Sequence, residues 1–399
     1  MDFQNVHLLN DLINKLSGNL FPITSNSSFS IGWKIYSACV WLIFGCAKIL
    51  EFCGFIMASK DTLLSDGMIT ITYILEVLFL LMQLNARRSY IVRFIRMMND
   101  ILRLQDETMK RVMAKNMKLM RFPIEMFCIL GLGSAVAWHL VQIVSVTRKK
   151  NSFCYEDFRT PAAFSPQPMS LRNYLLGSVF VLISTIFSIG KKIGVYTYMM
   201  HLIMLMTTQY QYLTVKLQKL FQEKKPQDDH GSTRERHGQK TNQWLEKEMR
   251  KLCRYHTIII QMSVLLKEIL SSNIVLMYLT NVFRFCFLGV LMASSRSLVE
   301  EVVVIMHTLC SISEFLMMCI CVQFLLDASK EITDKAFHED WYWFKPSVKR
   351  SFLLLTMANK LECKLTKFTN YNLTLPAFTL VLNHAYSFTI LFLKIKNEK

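Results

Sequence analysis

In Leu373-Thr-Leu-Pro-Ala-Phe-Thr-Leu-Val-Leu-Asn-His-Ala-Tyr-Ser-Phe-Thr-Ile-Leu-Phe-Leu393 the part from Ala377 to Leu393 reads as one final apolar segment that stops six residues before the last residue of the sequence. It is approached through Trp341-Tyr-Trp343, a basic stretch ending in Lys349-Arg350, and the apolar Phe352-Leu-Leu-Leu355. A long amphipathic approach to a final apolar helix is the layout of a membrane protein. It is not how a soluble enzyme is built.

Upstream the apolar residues, 52% of the 399, are grouped into further long runs: Ile35–Met57, Met68–Leu84, Pro123–Val146, Tyr174 onward, Ile274–Met292 and Val302–Leu326. With Ala377–Leu393 they make seven candidate spans. A bilayer core takes about 20 apolar helical residues to cross, and backbone groups in lipid must bond within their own segment. The expected fold is therefore an all-α membrane protein with seven transmembrane helices. The fourth run carries Lys191-Lys192 in its middle, but no turn residues beyond Gly190 and Gly194 divide it, so one long helix is expected. The opening residues show no charged n-region followed by a cleavage site, so the first helix is expected to act as the targeting signal.

The formal charge of +17 is distributed by topology. Thirty Lys and Arg fall in Arg87–Arg121, Lys216–Arg254, Lys330–Lys367 and at Lys15, against ten in the alternate segments. The positive-inside rule then puts the N-terminus in the cytoplasm and the C-terminus outside, the reverse of a G-protein-coupled receptor. The same charge predicts attraction to anionic membrane lipids and gives no reason to invoke nucleic acid.

Between the spans, Arg87–Lys118 aligns Ile91, Phe94, Ile95, Met98, Ile101 and Leu102 on one face, which is a basic amphipathic helix. Glu223–Asn242 is nearly devoid of apolar residues and is expected to be disordered. Helical period resumes at Trp244–Leu270, and Asp327–Leu373 also reads as mostly helical. Cys39, Cys46 and Cys53 recur every seven residues, which suggests packed thiols in a helix. The glycosylation patterns at Asn26 and Asn372 fall in expected cytoplasmic regions.

Enzyme chemistry leaves no trace: there is no nucleophile elbow, HExxH, Walker loop or CxxC pair, and no metal or cofactor is expected. No paired, broken helices suggest a transporter. Neither an Asp-Arg-Tyr-like triplet nor Asn-Pro-x-x-Tyr marks a G-protein-coupled receptor.

The pattern Ser329…Trp341-Tyr…Arg350-Ser-Phe-Leu…Leu373-Thr-Leu-Pro-Ala-Phe378…Leu382…Ala385-Tyr-Ser-Phe388…Leu391 resembles the closing signature of insect odorant receptors. Leu8-Leu-Asn-Asp-Leu-Ile-Asn-Lys-Leu-Ser-Gly-Asn-Leu-Phe-Pro22 is similar to the opening of one subgroup. The specific motifs lie at the two ends. Ala385-Tyr386 followed by Phe392-Leu393 departs from the gustatory receptor pattern, and the short second basic loop departs from the shared odorant co-receptor.

The resemblance implies a tuning subunit of an odorant-gated, non-selective cation channel, assembled with the odorant co-receptor as a heterotetramer in the plasma membrane of olfactory sensory neurons. The alternative is a gustatory-type or other seven-span receptor that signals through cytoplasmic partners. It also implies an organisation: a cytoplasmic N-terminus (1–33), helices 1–6 with the odorant pocket in their outer halves (34–326), cytoplasmic anchor helices (327–375), and a pore-lining seventh helix with a short external tail (376–399). The small volatile ligand would meet Ile71, Tyr73, Trp138, Gln142, Phe180, Thr185, His307 and Cys310. Thr389, Phe392 and Leu393 would face or gate the pore, and Trp341 and Tyr386 would serve anchoring and subunit contact. An epitope tag placed after Lys399 is expected to be reached by antibody in intact cells; labelling only after permeabilisation would contradict the inverted topology.

Overall fold

The computed structural model describes residues 8–24, 29–59, 67–103, 106–146, 152–158, 160–222, 234–294, 297–338, 341, 345–359, 365 and 373–397. Among these residues the architecture is all-helical. Ten helices follow in order: α1 (Leu8–Leu16), α2 (Ile31–Met57), α3 (Met68–Ala86), α4 (Arg88–Leu102), α5 (Glu107–Val146), α6 (Leu171–Gln222), α7 (Arg234–Ser294), α8 (Leu298–Phe337), α9 (Pro346–Asn359) and α10 (Leu375–Asn397). Seven of them, α2, α3, α5, α6, α7, α8 and α10, are long and apolar enough to cross a membrane. The fourth apolar run is one uninterrupted helix of 52 residues, as expected.

Length sets the shape. At 1.5 Å per residue, α6 is about 78 Å long, against a hydrocarbon core of about 30 Å. It and the 61-residue α7 therefore extend well past any bilayer. Their surplus turns, with α4, α9 and the ends of α5 and α8, build a packed body at the basic end of the molecule. Here the apolar face of α4 is fully used, with Ile91, Phe94, Ile95 and Met98 completely buried. Phe352 of α9 lies between Phe221 of α6 and Trp341, with ring centroids 5.5 and 5.3 Å apart.

α1 packs on α6, where its polar side chains meet the middle of that helix. Lys191 donates to the Ser17 carbonyl at 3.0 Å and sits 3.9 Å above the Trp41 ring. Asn19 donates back to the Lys191 carbonyl, also at 3.0 Å. The turn that makes this contact passes through Gly18 with φ +74°, a left-handed conformation that favours glycine. One of the two lysines that interrupt the fourth run is thus satisfied by the N-terminal segment.

Three features differ from the sequence expectations. α7 reaches back to Arg234, into a stretch expected to lack structure; residues 223–233 lie outside those described. Cys39 and Cys46 are exposed on the outer face of α2 beside Leu42, Ile49 and Phe52. In lipid the surrounding medium is as apolar as a core, so such a face needs no protein partner. α8 runs through residues 326 and 327 without a break, so no helix end marks the expected boundary after the sixth span. Asn26 and Asn372 lie outside the described residues.

Asp106, in the short link from α4 to α5, ties this body together. Its carboxylate takes Lys216 at 2.6 Å, the Tyr212 hydroxyl at 3.0 Å and the Thr108 backbone N–H at 2.8 Å. Burial pushes the carboxyl upward, but the hydrogen bonds from Lys216, Thr108 and Tyr212 outweigh it and hold the pKa at about 2. A depressed pKa stabilises the fold above the ordinary carboxylate value, and the contribution is lost as pH falls from about 4 toward 2. The pair is partly exposed, so solvent screening limits the effect to about 1 kcal/mol. Asp106→Asn is expected to lose that amount in urea unfolding at pH 7, with the gap to wild type closing as the pH falls through this window.

Candidate functional site

The helical spans are apolar, yet four of them each carry a buried charge at the same depth. Glu76 comes from α3, Lys192 from α6, Arg284 from α7 and Glu314 from α8, all at most 4% exposed. Lys192 lies 3.1 Å from Glu76 and 2.8 Å from Glu314. Arg284 bonds to Glu76 and lies 3.2 Å from Glu314. The Tyr196 hydroxyl donates to Glu76 at 2.6 Å, and the Tyr73 ring stands 4.8 Å from the Lys192 ammonium. Two cations and two carboxylates cancel. A lone charge at this depth costs on the order of 3 kcal/mol or more, so the four are tolerable only as a set.

Directly above this cluster is a cavity of about 60 Å³ among α2, α3, α5, α6 and α8. Its walls include Ile69, Tyr73, Ala135, Trp138, Ile189 and His307. A smaller space of about 20 Å³, bounded by Tyr73, His307, Cys310, Lys192 and Glu314, continues from it down to the cluster. The segment before α6 folds over the mouth and contributes Thr160. It is held by an isolated bridge between Phe153 and Met169, by stacking of Phe153 on Tyr174 at 4.4 Å, and by the Ala163 N–H donating to the Leu50 carbonyl at 3.0 Å. Mostly apolar walls with a few polar groups are what a small-molecule pocket requires.

Of the eight residues singled out for ligand contact, Tyr73, Trp138, Thr185 and His307 line the main cavity and Cys310 the lower one. Trp138 and His307 pack against each other in its wall, with ring centroids 5.4 Å apart. Thr185 is bonded to His139 at 2.9 Å. Ile71 and Phe180 are half-buried and line neither space; Phe180 packs instead near Phe164 at 6.2 Å. Gln142 lies on α5 in a stretch whose side chains are outside the described residues.

At the last helix, Ala377, Val381 and Ala385 form a buried stripe at four-residue spacing, and Thr389 and Leu393 continue it half-buried. The Thr389 hydroxyl lies 2.8 Å from the Ala385 carbonyl oxygen and 3.2 Å from that of Cys286 on α7. A Cβ on Gly289 would come within 2.8 Å of the same hydroxyl, so glycine is what lets α10 approach α7 here. Phe392 flanks the stripe at 5.9 Å from Phe287 and remains exposed. Tyr386 points away from the subunit, 69% exposed. Trp341 packs on α9, as described above.

Sequence reading missed Glu76, Arg284 and Glu314, and with them the partners of Lys192. The signal was present: one isolated charge in each of three apolar runs, and the lysine pair in the fourth. Lys48 and Glu51 of α2, paired at 2.8 Å beside the cavity, and Ser188 were missed as well.

An all-helical, multi-pass membrane protein with an internal cavity set over a buried ionic cluster is the class these observations define. The sequence profile of the 7tm Odorant receptor family matches residues 62–386, and the chain belongs to that family. The family is one of receptors, not of enzymes. No curated protein matches the sequence. Among solved structures, the insect olfactory receptor OR5 from Machilis hrabei aligns with a TM-score of 0.78 at 10% identity, covering 97% of each chain. The same receptor in complex with eugenol aligns with a TM-score of 0.76 at 10% identity, covering 98% of each. At that identity the likeness is one of fold.

Removing one member of the cluster leaves a buried charge unbalanced. Arg284→Met is expected to cost about 3–5 kcal/mol, read as a lowered melting temperature of the purified protein and reduced delivery to the cell surface. Arg284→Met combined with Glu314→Gln should lose less than the sum of the two single losses. Additive losses would show that the two side chains act independently.

Proposed function

We propose that this chain is a tuning subunit of an odorant-gated, non-selective cation channel, sensing small volatile molecules together with a shared co-receptor in a heterotetramer. The observation that carries this reading is the place of the cavity. Its floor is the ionic cluster, and Arg284 of that cluster sits on α7, five residues from the glycine against which α10 packs. A ligand that shifts Tyr73 or Lys192 therefore has a short path of packed and charged groups to the last helix. The eugenol complex of the Machilis hrabei receptor supports the same use of the fold.

On this reading Tyr73, Trp138, Thr185, His307 and Cys310 contact the ligand, with Ile71, Gln142 and Phe180 at the periphery. The last helix lines a pore shared among subunits. Phe392 would form the hydrophobic constriction that gates by dewetting, while Thr389 and Leu393 would carry movement of α7 into it. Tyr386 and Trp341 belong to subunit contact and anchoring. The basic body, with its anchor helices over 327–375, faces the cytoplasm together with residues 1–33, and the tail after α10 lies outside. To open the channel usefully, the ligand must favour the open state by on the order of 3 kcal/mol. The protein works in the plasma membrane of olfactory sensory neurons.

Whole-cell current during application of an odorant panel tests this, with the chain expressed alone and with the insect co-receptor. Current that needs the co-receptor and no added nucleotide is expected, with half-maximal concentrations moved about tenfold by Tyr73→Ala or Trp138→Ala. Current from the chain alone would make it a self-sufficient channel. Responses that need a G protein would replace the channel by a seven-span receptor acting through partners.

A further inference from the structure

We infer that the cavity selects neutral ligands carrying a hydrogen-bond-accepting oxygen, a carbonyl above all, held between the hydroxyls of Tyr73 and Ser188. This rests on the receptor reading above and names the chemistry of its ligand.

Every ionic group at the cavity already has its counter-charge. Lys48 meets both carboxylate oxygens of Glu51 at 2.8 Å, and Lys192 is held between Glu76 and Glu314. A carboxylic acid or an amine entering as an ion would have to break one of these pairs, so a neutral ligand is favoured. Most of the polar side chains around it are also spoken for. Ser134 donates to the Gly131 carbonyl at 2.9 Å, and Thr185 bonds to the Val181 carbonyl and to His139, each at 2.9 Å.

Two oxygens lining the cavity are different. The hydroxyls of Tyr73 and Ser188 lie close enough to interact with one another, each is closed off from solvent, and neither has any other hydrogen-bond partner. A serine within a helix usually returns its proton to the carbonyl four residues back. Thr185, one turn away, does so; Ser188, only 1% exposed, does not. Neither proton is committed to a backbone carbonyl, so both hydroxyls can turn from one another to a shared acceptor. A carbonyl oxygen has two lone pairs, and so takes one donor from each.

The site is also held in advance. The Tyr73 ring rests 4.8 Å from the Lys192 ammonium, which two carboxylates fix in place. The phenol is therefore positioned before any ligand arrives, which lowers the ordering cost of binding. Ile69, Ala135, Trp138 and Ile189 leave the rest of the space apolar, and at about 60 Å³, with about 20 Å³ more below it, these side chains must give way to admit a single ring or a short chain.

The test is thermal stabilisation of the purified full-length protein by two matched series: acetophenone, 1-phenylethanol and ethylbenzene, and 2-heptanone, 2-heptanol and heptane. The ketones should bind wild type best, the alcohols next and the hydrocarbons least. In Tyr73→Phe and in Ser188→Ala, ketone affinity should fall roughly five- to tenfold while hydrocarbon affinity is unchanged. Comparing each compound between variants removes differences in partition into detergent. Ser188→Ala removes no hydrogen bond to the backbone and no contact of its hydroxyl but that with Tyr73, so it remains informative if Tyr73→Phe folds poorly. Equal stabilisation by all three classes, or variants that weaken ketones and hydrocarbons alike, would overturn the oxygen preference and leave the receptor reading standing. No stabilisation by any of the six would overturn both.

Discussion

Four charges brought to one depth in an apolar bundle are the constraint on which this structure turns. None of Glu76, Lys192, Arg284 and Glu314 is tolerable alone in a membrane interior, and each is neutralised only by helices distant in sequence. Apolar packing between helices in lipid has little directional force, because lipid tails compete equally well with side chains. The ionic cluster supplies the register that van der Waals contact leaves loose. It fixes α3, α6, α7 and α8 relative to one another, and Tyr196 adds a hydrogen bond from the same turn of α6.

The cluster also explains why the cavity sits where it does. Large charged side chains fill the centre of the bundle, while above them the helices are held apart around smaller groups such as Ser134, Ala135 and Ser188. The lower space touches Lys192 and Glu314 directly, so the floor of the pocket and the brace of the bundle are made of the same atoms. Arg284 carries that brace onto α7, and the close approach at Gly289 carries α7 onto α10. The adjacent Lys191 plays a separate part, binding the N-terminal segment and so closing the other side of α6. Two consecutive lysines on one helix point to different sides, which is why neither interrupts it.

Much of this was legible in the order of residues. Seven apolar runs fixed the number of spans, and the absence of turn residues around Lys191-Lys192 made the fourth a single helix. The apolar face of Arg88–Leu102 announced its burial, and the closing motif from Ser329 to Leu391 pointed to the family. Four residues that line the cavity, Tyr73, Trp138, Thr185 and His307, came from expecting certain helices to converge and choosing aromatic or polar side chains on them. The same reasoning placed Ile71 and Phe180 too near the centre. Depth along a helix can be judged from sequence, but the rotation of a helix whose every face is apolar cannot.

What the sequence determined by itself is what depends on local composition: helix existence, helix length beyond the bilayer, the concentration of positive charge in alternate segments, and membership of a family. What only the tertiary structure decided is pairing. Glu76, Arg284 and Glu314 read as three unrelated anomalies until the fold brings both carboxylates within bonding distance of Lys192 and of Arg284. The juxtaposed hydroxyls of Tyr73 and Ser188, with no partner beyond each other, are invisible for the same reason. Whether a polar atom is satisfied depends on every neighbour in three dimensions, and a one-dimensional pattern records only its own side of each contact.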